Sequence, residues 1–424
     1  MGINMVIKIA DGIMMESCFP FSGVKNFEYE WKPNEHTFLT MRGYLIESEG
    51  YHLVEAYGSK IRLWNKEGVT LFYGYLVDVN VNHVGNTREI RLKAASASVR
   101  IDTKPESESF QNPDETYAEI SQKTAESAGA RVICTEGDGI SIGRPIIRYQ
   151  ETVWQFNRRL ASHLKTCIVS DIVTGERDFW FGMRKGESIP SLKGEEYTVN
   201  VYRERDGGKV TAIYEVKSRN FYKIGDRVTM NDAEWKICAV KAVFRKGELI
   251  FEYLLKQEEI VKTAYLDRFT GLGLKGTIAE VRNEQVRIML DIDGERETGQ
   301  YFYNWYPETG NSLYAMPEPG TRAVLYFGES DEREGFVMHS LPNAMSDSWN
   351  YKSRHLDTQE RNRLYLNAES IDIANDGSRA VCLADSFIST NSGGKLYISA
   401  EGKVNMSAKK IILKTPDEVN ICQE

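Results

Sequence analysis

The run Gly271-Leu-Gly-Leu-Lys-Gly276 satisfies G-x-G-x-x-G, the spacing that lets backbone amides cradle a pyrophosphate. That chemistry needs the glycines to follow a strand and open a helix, whereas an alternating strand pattern follows here, so the run reads as a flexible entrance to a barrel. Six histidines (His36, His52, His83, His163, His339, His355) stand singly, with no HxH or HExxH pair to hold a metal. Six cysteines (Cys18, Cys134, Cys167, Cys238, Cys382, Cys422) form no CxxC pair, and most are expected reduced and buried. His163 and Cys167 lie four apart where a helix would bring them together, but Lys165-Thr166 reads as an exit loop and the two as core residues. The acidic loop Asp331, Glu332, Glu334 reads as a solvated turn. We expect no catalytic residue, no cofactor and no metal.

The elements that would position any such chemistry follow from composition and periodicity. The 424 residues are 41% hydrophobic and 27% charged, which describes a folded chain of two to four domains. A formal net charge of −8 argues against dedicated nucleic-acid binding and leaves room for a local basic strip. The N-terminal apolar run is broken at Asp11-Gly12, a poor signal peptide, and no apolar stretch approaches the roughly twenty residues of a membrane-spanning helix. Synthesis in the cytoplasm and export without a cleaved leader are expected.

Asn112-Pro113-Asp114 reads as a helix start, with Tyr117, Ile120, Ser121, Thr124, Ala125 and Ala128 on one face and Gly129 as the stop. A second helix begins near Thr152, with Val153, Phe156 and Leu160 inward and Arg158 and Arg159 on the opposite side. Leu71–Val81, Glu89–Ala94 and Trp235–Val243 alternate as antiparallel strands, while 104–113 and 185–196 read as loops. From Gly276 short strands follow one another. Val286, Ile288, Leu290 and Ile292 form one apolar row, Ala323, Leu325 and Phe327 repeat it, and Asp293-Gly294, Pro319-Gly320 and Glu334-Gly335 mark turns. A small five-stranded barrel of oligonucleotide/oligosaccharide-binding (OB) type is expected over 264–343, followed by a polar linker or wrapping arm over 344–362 with Trp349 and Tyr351.

Beyond it the run KLYISAEG, KVNMSAKK, IILKTPDE, VNICQE repeats every eight residues. Leu396 and Val404, Ile398 and Met406, Ile411 and Val419, and Leu413 and Ile421 are eight apart, one dry strand face per repeat. One strand per repeat cannot close a core alone. A single-chain solenoid and three copies wound about a common axis both satisfy the pattern.

Taken together, FYGYLVDVNVNHVGNTREIRLKAAS (72–96), ESFQNPDETYAEIS (108–121), YQETVWQFNRRLASHL (149–164), IGDRVTMNDAEWKICAV (224–240) and PEPGTRAVLYFGESDEREGFVMHSLPNA (317–344) resemble the VgrG-type spike and phage baseplate-hub (late control protein D-like) family. The resemblance runs from about residue 70 to the end. It implies a mainly β fold with some helix: an α+β hub domain over 1–262, the OB-fold barrel over 264–343, and over 363–424 an intertwined trimeric β-helix or β-prism. Leu396, Ile398, Val404, Met406, Ile411, Leu413, Val419 and Ile421 would then form the trimer core of a needle. The family resemblance implies a homotrimeric, non-enzymatic structural spike that caps the inner tube of a contractile injection system and punctures a target envelope. Its partners would be the inner tube protein and baseplate proteins, a PAAR-type tip protein, since VNICQE lacks the paired histidines of metal-tipped relatives, and effector cargo. It would be assembled at the tube tip and delivered outside the cell or into a target on contraction. Where some relatives carry a lysozyme domain after the barrel or a toxin domain after the needle, neither is expected here. Two rival readings are a tailspike-like polysaccharide depolymerase and a carbohydrate- or nucleic-acid-binding barrel that stacks ligands on Tyr301, Tyr303, Trp305 and Tyr306.

Overall fold

Alternating sequences in the hub pair as antiparallel strands, because period-two side chains bury one face and leave the other wet. The structure, a computed structural model, describes all residues except 1–4, 47–52, 86, 190–194, 204–209, 231–232, 258–260, 308–314, 342–352, 359–361, 376–377 and 421–424. Among these a 12-stranded sheet dominates. From one edge its path runs Met5–Lys8, Met14–Ser17, Lys60–Trp64, Thr70–Val84, Thr87–Ser96, Phe38–Leu45, Phe21–Trp31, Ala233–Arg245, Glu248–Lys256, Val210–Ser218 and Glu196–Arg203, with Arg227–Met230 beside Ala233–Arg245. The central pairing of Val240 with Trp31 and Phe244 with Phe27 joins strands more than 200 positions apart. Phe27 and Phe244 stack there with ring centroids 5.0 Å apart. Trp31, Met41, Phe72, Phe244 and Phe251 lie in the core beneath it.

Two helices pack in a second core with Phe110, Ile146, Phe179 and Phe181. Helix α1 (Tyr117–Ser127) starts three residues later than the Asn112-Pro113-Asp114 signal suggests. The Asn112 side chain instead caps a turn by accepting from the Asp114 amide at 3.1 Å, and Thr116 is the true N-cap, in a reciprocal box with Glu119. Tyr117, Ile120, Ser121, Thr124 and Ala125 face inward, and Gly129 leaves the helix at φ 68°. Helix α2 (Val153–His163) opens with the same box between Thr152 and Gln155. Val153, Phe156 and Leu160 are buried, and so, against expectation, is Arg159. The stretch 104–113 is not all loop: Glu106–Phe110 pairs with Ile146–Glu151.

The barrel closes through Gly273–Arg282, Gln285–Leu290, Tyr303–Tyr306, Phe336–Leu341 and Arg322–Tyr326, in that spatial order. Its third and fifth strands in sequence run parallel, with Trp305 opposite Val337, and the remaining pairs are antiparallel, a Greek-key closure of OB type. Gly276 is required by close approach: a Cβ there would sit 2.4 Å from the Met289 carbonyl oxygen. The strand ends at Leu290 in a 3-10 turn over Asp291–Asp293, where Ile292 still packs half-buried on the barrel core and Asp293 is buried. The glycine run is part of the barrel and not a flexible entrance ahead of it: Gly273 opens the first barrel strand and Gly276 lies within it.

Residues up to Asn343 form one compact unit and Ala344–Glu424 a second. In the second unit Arg354–Asp357, inside the stretch read as a linker, is a strand. It opens an antiparallel meander continued by Arg363–Leu366, Ser370–Asn375, Ser378–Ala384 and Ile388–Thr390.

Candidate functional site

Two features of the structure depart from what an ordinary folded domain needs. The first is the joint between hub and barrel. Arg159 projects from α2 with 4% of its surface exposed, and Glu332, from the loop between the last two barrel strands, is 0% exposed. Arg159 donates from Nη2 to Glu151 Oε2 at 2.8 Å and to the Ile147 carbonyl at 2.8 Å, and from Nη1 to Glu332 Oε1. Burial alone pulls its pKa down, but the Glu332 and Glu151 carboxylates outweigh that and hold it above its ordinary value. The acidic loop is therefore not a solvated turn. Its middle carboxylate is half of a buried ion pair, and its Oε2 has no further partner among the described residues.

Further contacts fix the same joint. Asp293 accepts from the Ser109 amide at 2.7 Å and hydroxyl at 2.5 Å, and from the Thr298 hydroxyl at 2.6 Å. Arg296 reaches back to Glu108 at 3.0 Å, and Arg144 pairs with Glu334. Ile147 and Tyr149 of the hub belong to the barrel's own apolar core. His163 lies between Tyr117 and Tyr265, and burial, reinforced by Arg159 and Arg333, pushes its imidazole down to about 4. Cys167 sits instead in the core under the large sheet, so the two form no dyad. The charges of this joint pair with one another across hub and barrel.

The second feature lies in the C-terminal unit. Leu356, Leu364 and Ile373 are cross-strand neighbours, as are Leu366, Ile371 and Leu383, and all six are exposed. The opposite face buries Asp372, Ala374 and Cys382. Beyond Thr390 the described residues form no strand pairing, and Leu396, Ile398, Val404, Met406, Ile411, Leu413 and Val419 are between 51% and 75% exposed. Ile421 lies outside the described residues. The four barrel aromatics do not make one stacking platform: Tyr303 is buried in the barrel core, Tyr301 packs edge-on against it at 4.9 Å, Trp305 donates to the Ala315 carbonyl at 3.2 Å, and Tyr306 packs on Phe336.

A large hub sheet, a Greek-key barrel and a C-terminal β meander make up a mainly β architecture. No family model and no curated protein matches the chain. Solved structures do. A chain of the Francisella PdpA–VgrG complex in its half-lidded form has a TM-score of 0.56 at 7% identity over 89% of this chain and 85% of its own. A chain of the lidded form has 0.52 at 7% identity over 87% of this chain and 76% of its own. The Escherichia coli c3393 protein, described as a type VI secretion component similar in structure to the T4 phage tail proteins gp27 and gp5, has 0.51 at 12% identity over 74% of this chain and 95% of its own. The fold is that of VgrG-type spike and phage tail proteins.

Proposed function

We propose that this chain is one subunit of a homotrimeric spike at the tip of a contractile, phage-tail-like injection system, acting mechanically and without catalysis. The observation that carries the reading is the C-terminal apolar row. A side chain such as Leu or Ile gains about 1.5–3 kcal/mol on full burial, and a soluble monomer does not leave so many aligned apolar groups in water. Three copies around an axis would bury the row with its own equivalents and leave few open strand edges. In this reading Leu396, Ile398, Val404, Met406, Ile411, Leu413, Val419 and Ile421 form the needle core.

The hub would cap the inner tube and meet the baseplate, a PAAR-type protein would seat on the needle end, and cargo would ride with the spike. The buried joint suits that role, since thrust on the needle must reach the barrel and hub without play. The shared fold supports a structural part, and no observation favours the depolymerase or the binding-barrel reading. The test is assembly: residues 1–343, mixed with the tube and baseplate proteins of the same system, should nucleate tubes without the needle. Failure of that mixture, where the full chain succeeds, would contradict the division of labour.

A further inference from the structure

A cleft in the hub has a character opposite to the net acidity of the chain. A depression of about 470 Å³ in the hub is lined by Arg100, Lys104, Arg148 and Arg177, with Glu106 as its only lining carboxylate among the described residues. It is built where six segments converge: the 3-10 turn Ala97–Ile101, the strand start at Glu106, the end of α1 at Ser127–Gly129, the strand bearing Arg148, the start of α2 at Val153 and the loop bearing Arg177. Arg148 forms the rigid floor, fully buried, with Nε on the Glu151 carbonyl at 2.8 Å and Nη1 on Glu108 at 3.0 Å and Glu106 at 3.4 Å. Its Nη2 has no partner among the described residues.

The walls hold donors that the fold leaves unused. Arg100 lies flat on the Tyr75 ring, its guanidinium carbon 3.6 Å from the centroid, and no carboxylate is bonded to it among the described residues. Stacking fixes the guanidinium plane and leaves its edge open, the geometry that receives a carboxylate or phosphate. Arg177 spends Nη1 on the Ala128 carbonyl at the end of α1, at 2.8 Å, which anchors the head and leaves Nη2. Lys104 is paired with Glu106 at 2.7 Å. Asp102, the nearest acidic neighbour in sequence, is occupied by His36 and Thr152.

We propose that this cleft is a docking site for an acidic peptide segment of a partner protein. The volume exceeds what one small anion fills, and the open donors come from separate segments, so the ligand should present several oxyanions along an extended chain. A nucleic acid is disfavoured by the same lining, because the ring of Tyr75 is covered by Arg100 and no lining residue is aromatic to stack a base. Charge-assisted bonds from Arg100 and Arg177 would hold the peptide, while Arg148 supplies a preorganised floor. The inference stands independently of the spike reading.

The test uses the full chain and a fluorescein-labelled hexapeptide of alternating Asp and Glu, followed by anisotropy at low salt. Binding should weaken with added salt and fall about tenfold or more in the double variant Arg100→Gln/Arg177→Gln. The double variant Lys8→Gln/Lys262→Gln, which removes the same charge elsewhere, should bind as the parent does. Thermal unfolding of both variants serves as the check on folding. Absence of binding, equal binding by the Arg100/Arg177 variant, equal loss in the lysine variant, or tighter binding of an oligothymidylate would each overturn the proposal.

Discussion

The hub–barrel unit and the C-terminal unit solve the same problem in opposite ways. In the first, apolar groups from strands more than 200 positions apart meet in one core, and even the barrel borrows Ile147 from the hub. Charges are drawn inside to fix the joint, with Arg159 held between Glu151 and Glu332. In the second, the sheet is well paired edge to edge but its apolar face stays outside. The difference separates a region that covers its own apolar groups from a region that leaves an apolar face exposed.

The largest effect that would sharpen this contrast is expected in the needle. Val404→Asp or Met406→Asp should abolish trimer formation, because three carboxylates would meet near the axis at a cost of several kcal/mol each. Analytical ultracentrifugation that finds an intact soluble trimer with either change would remove those residues from the axis. Next comes Arg159→Ala, which leaves Glu332 and Glu151 buried without a cation. It should destabilise the hub–barrel unit by about 3–5 kcal/mol in urea unfolding, and a loss under 1 kcal/mol would mean that water enters the joint freely.

His163 provides a smaller, pH-dependent effect. Its folded pKa of about 4 lies below the ordinary 6.5, so the unfolded chain binds the proton first as pH falls. Stability from this group is therefore fully present above pH 6.5 and is lost down to about pH 4, on the order of 2 kcal/mol between pH 7 and 4.5. His163→Phe should lose less stability over that interval than the parent; identical acid limbs would contradict the buried neutral imidazole. The smallest effect is Ser109→Ala, which removes the hydroxyl bond to Asp293 and should cost about 1–2 kcal/mol, read as a modest drop in melting temperature.

Much of the architecture is legible from local pattern. The inward faces of α1 and α2, the strands around Leu71–Val81 and Trp235–Val243, and the rows Val286–Leu290 and Ala323–Phe327 follow from periodicity, since burial of one face is what selects such spacing. The joint was not legible. Arg159 and Glu332 look like surface charges because their partners lie far along the chain, and no local window holds both. Asp293 resembles a turn residue for the same reason, its donor Ser109 being 184 positions away. Thr116-x-x-Glu119 did carry a readable signal for the true start of α1, a capping box, but the stronger Asn-Pro-Asp turn three residues earlier masks it. The basic cleft could not be read either, because Arg100, Arg148 and Arg177 converge only in the fold.

The central claim, that the exposed C-terminal row belongs to a three-fold assembly, is tested most directly by the native mass of the purified full chain, measured by light scattering on a sizing column. The account predicts a sharp peak at about 145 kDa, three times the chain mass of 48.3 kDa, that persists in mild denaturant. A stable, well-behaved species of 48.3 kDa would contradict it.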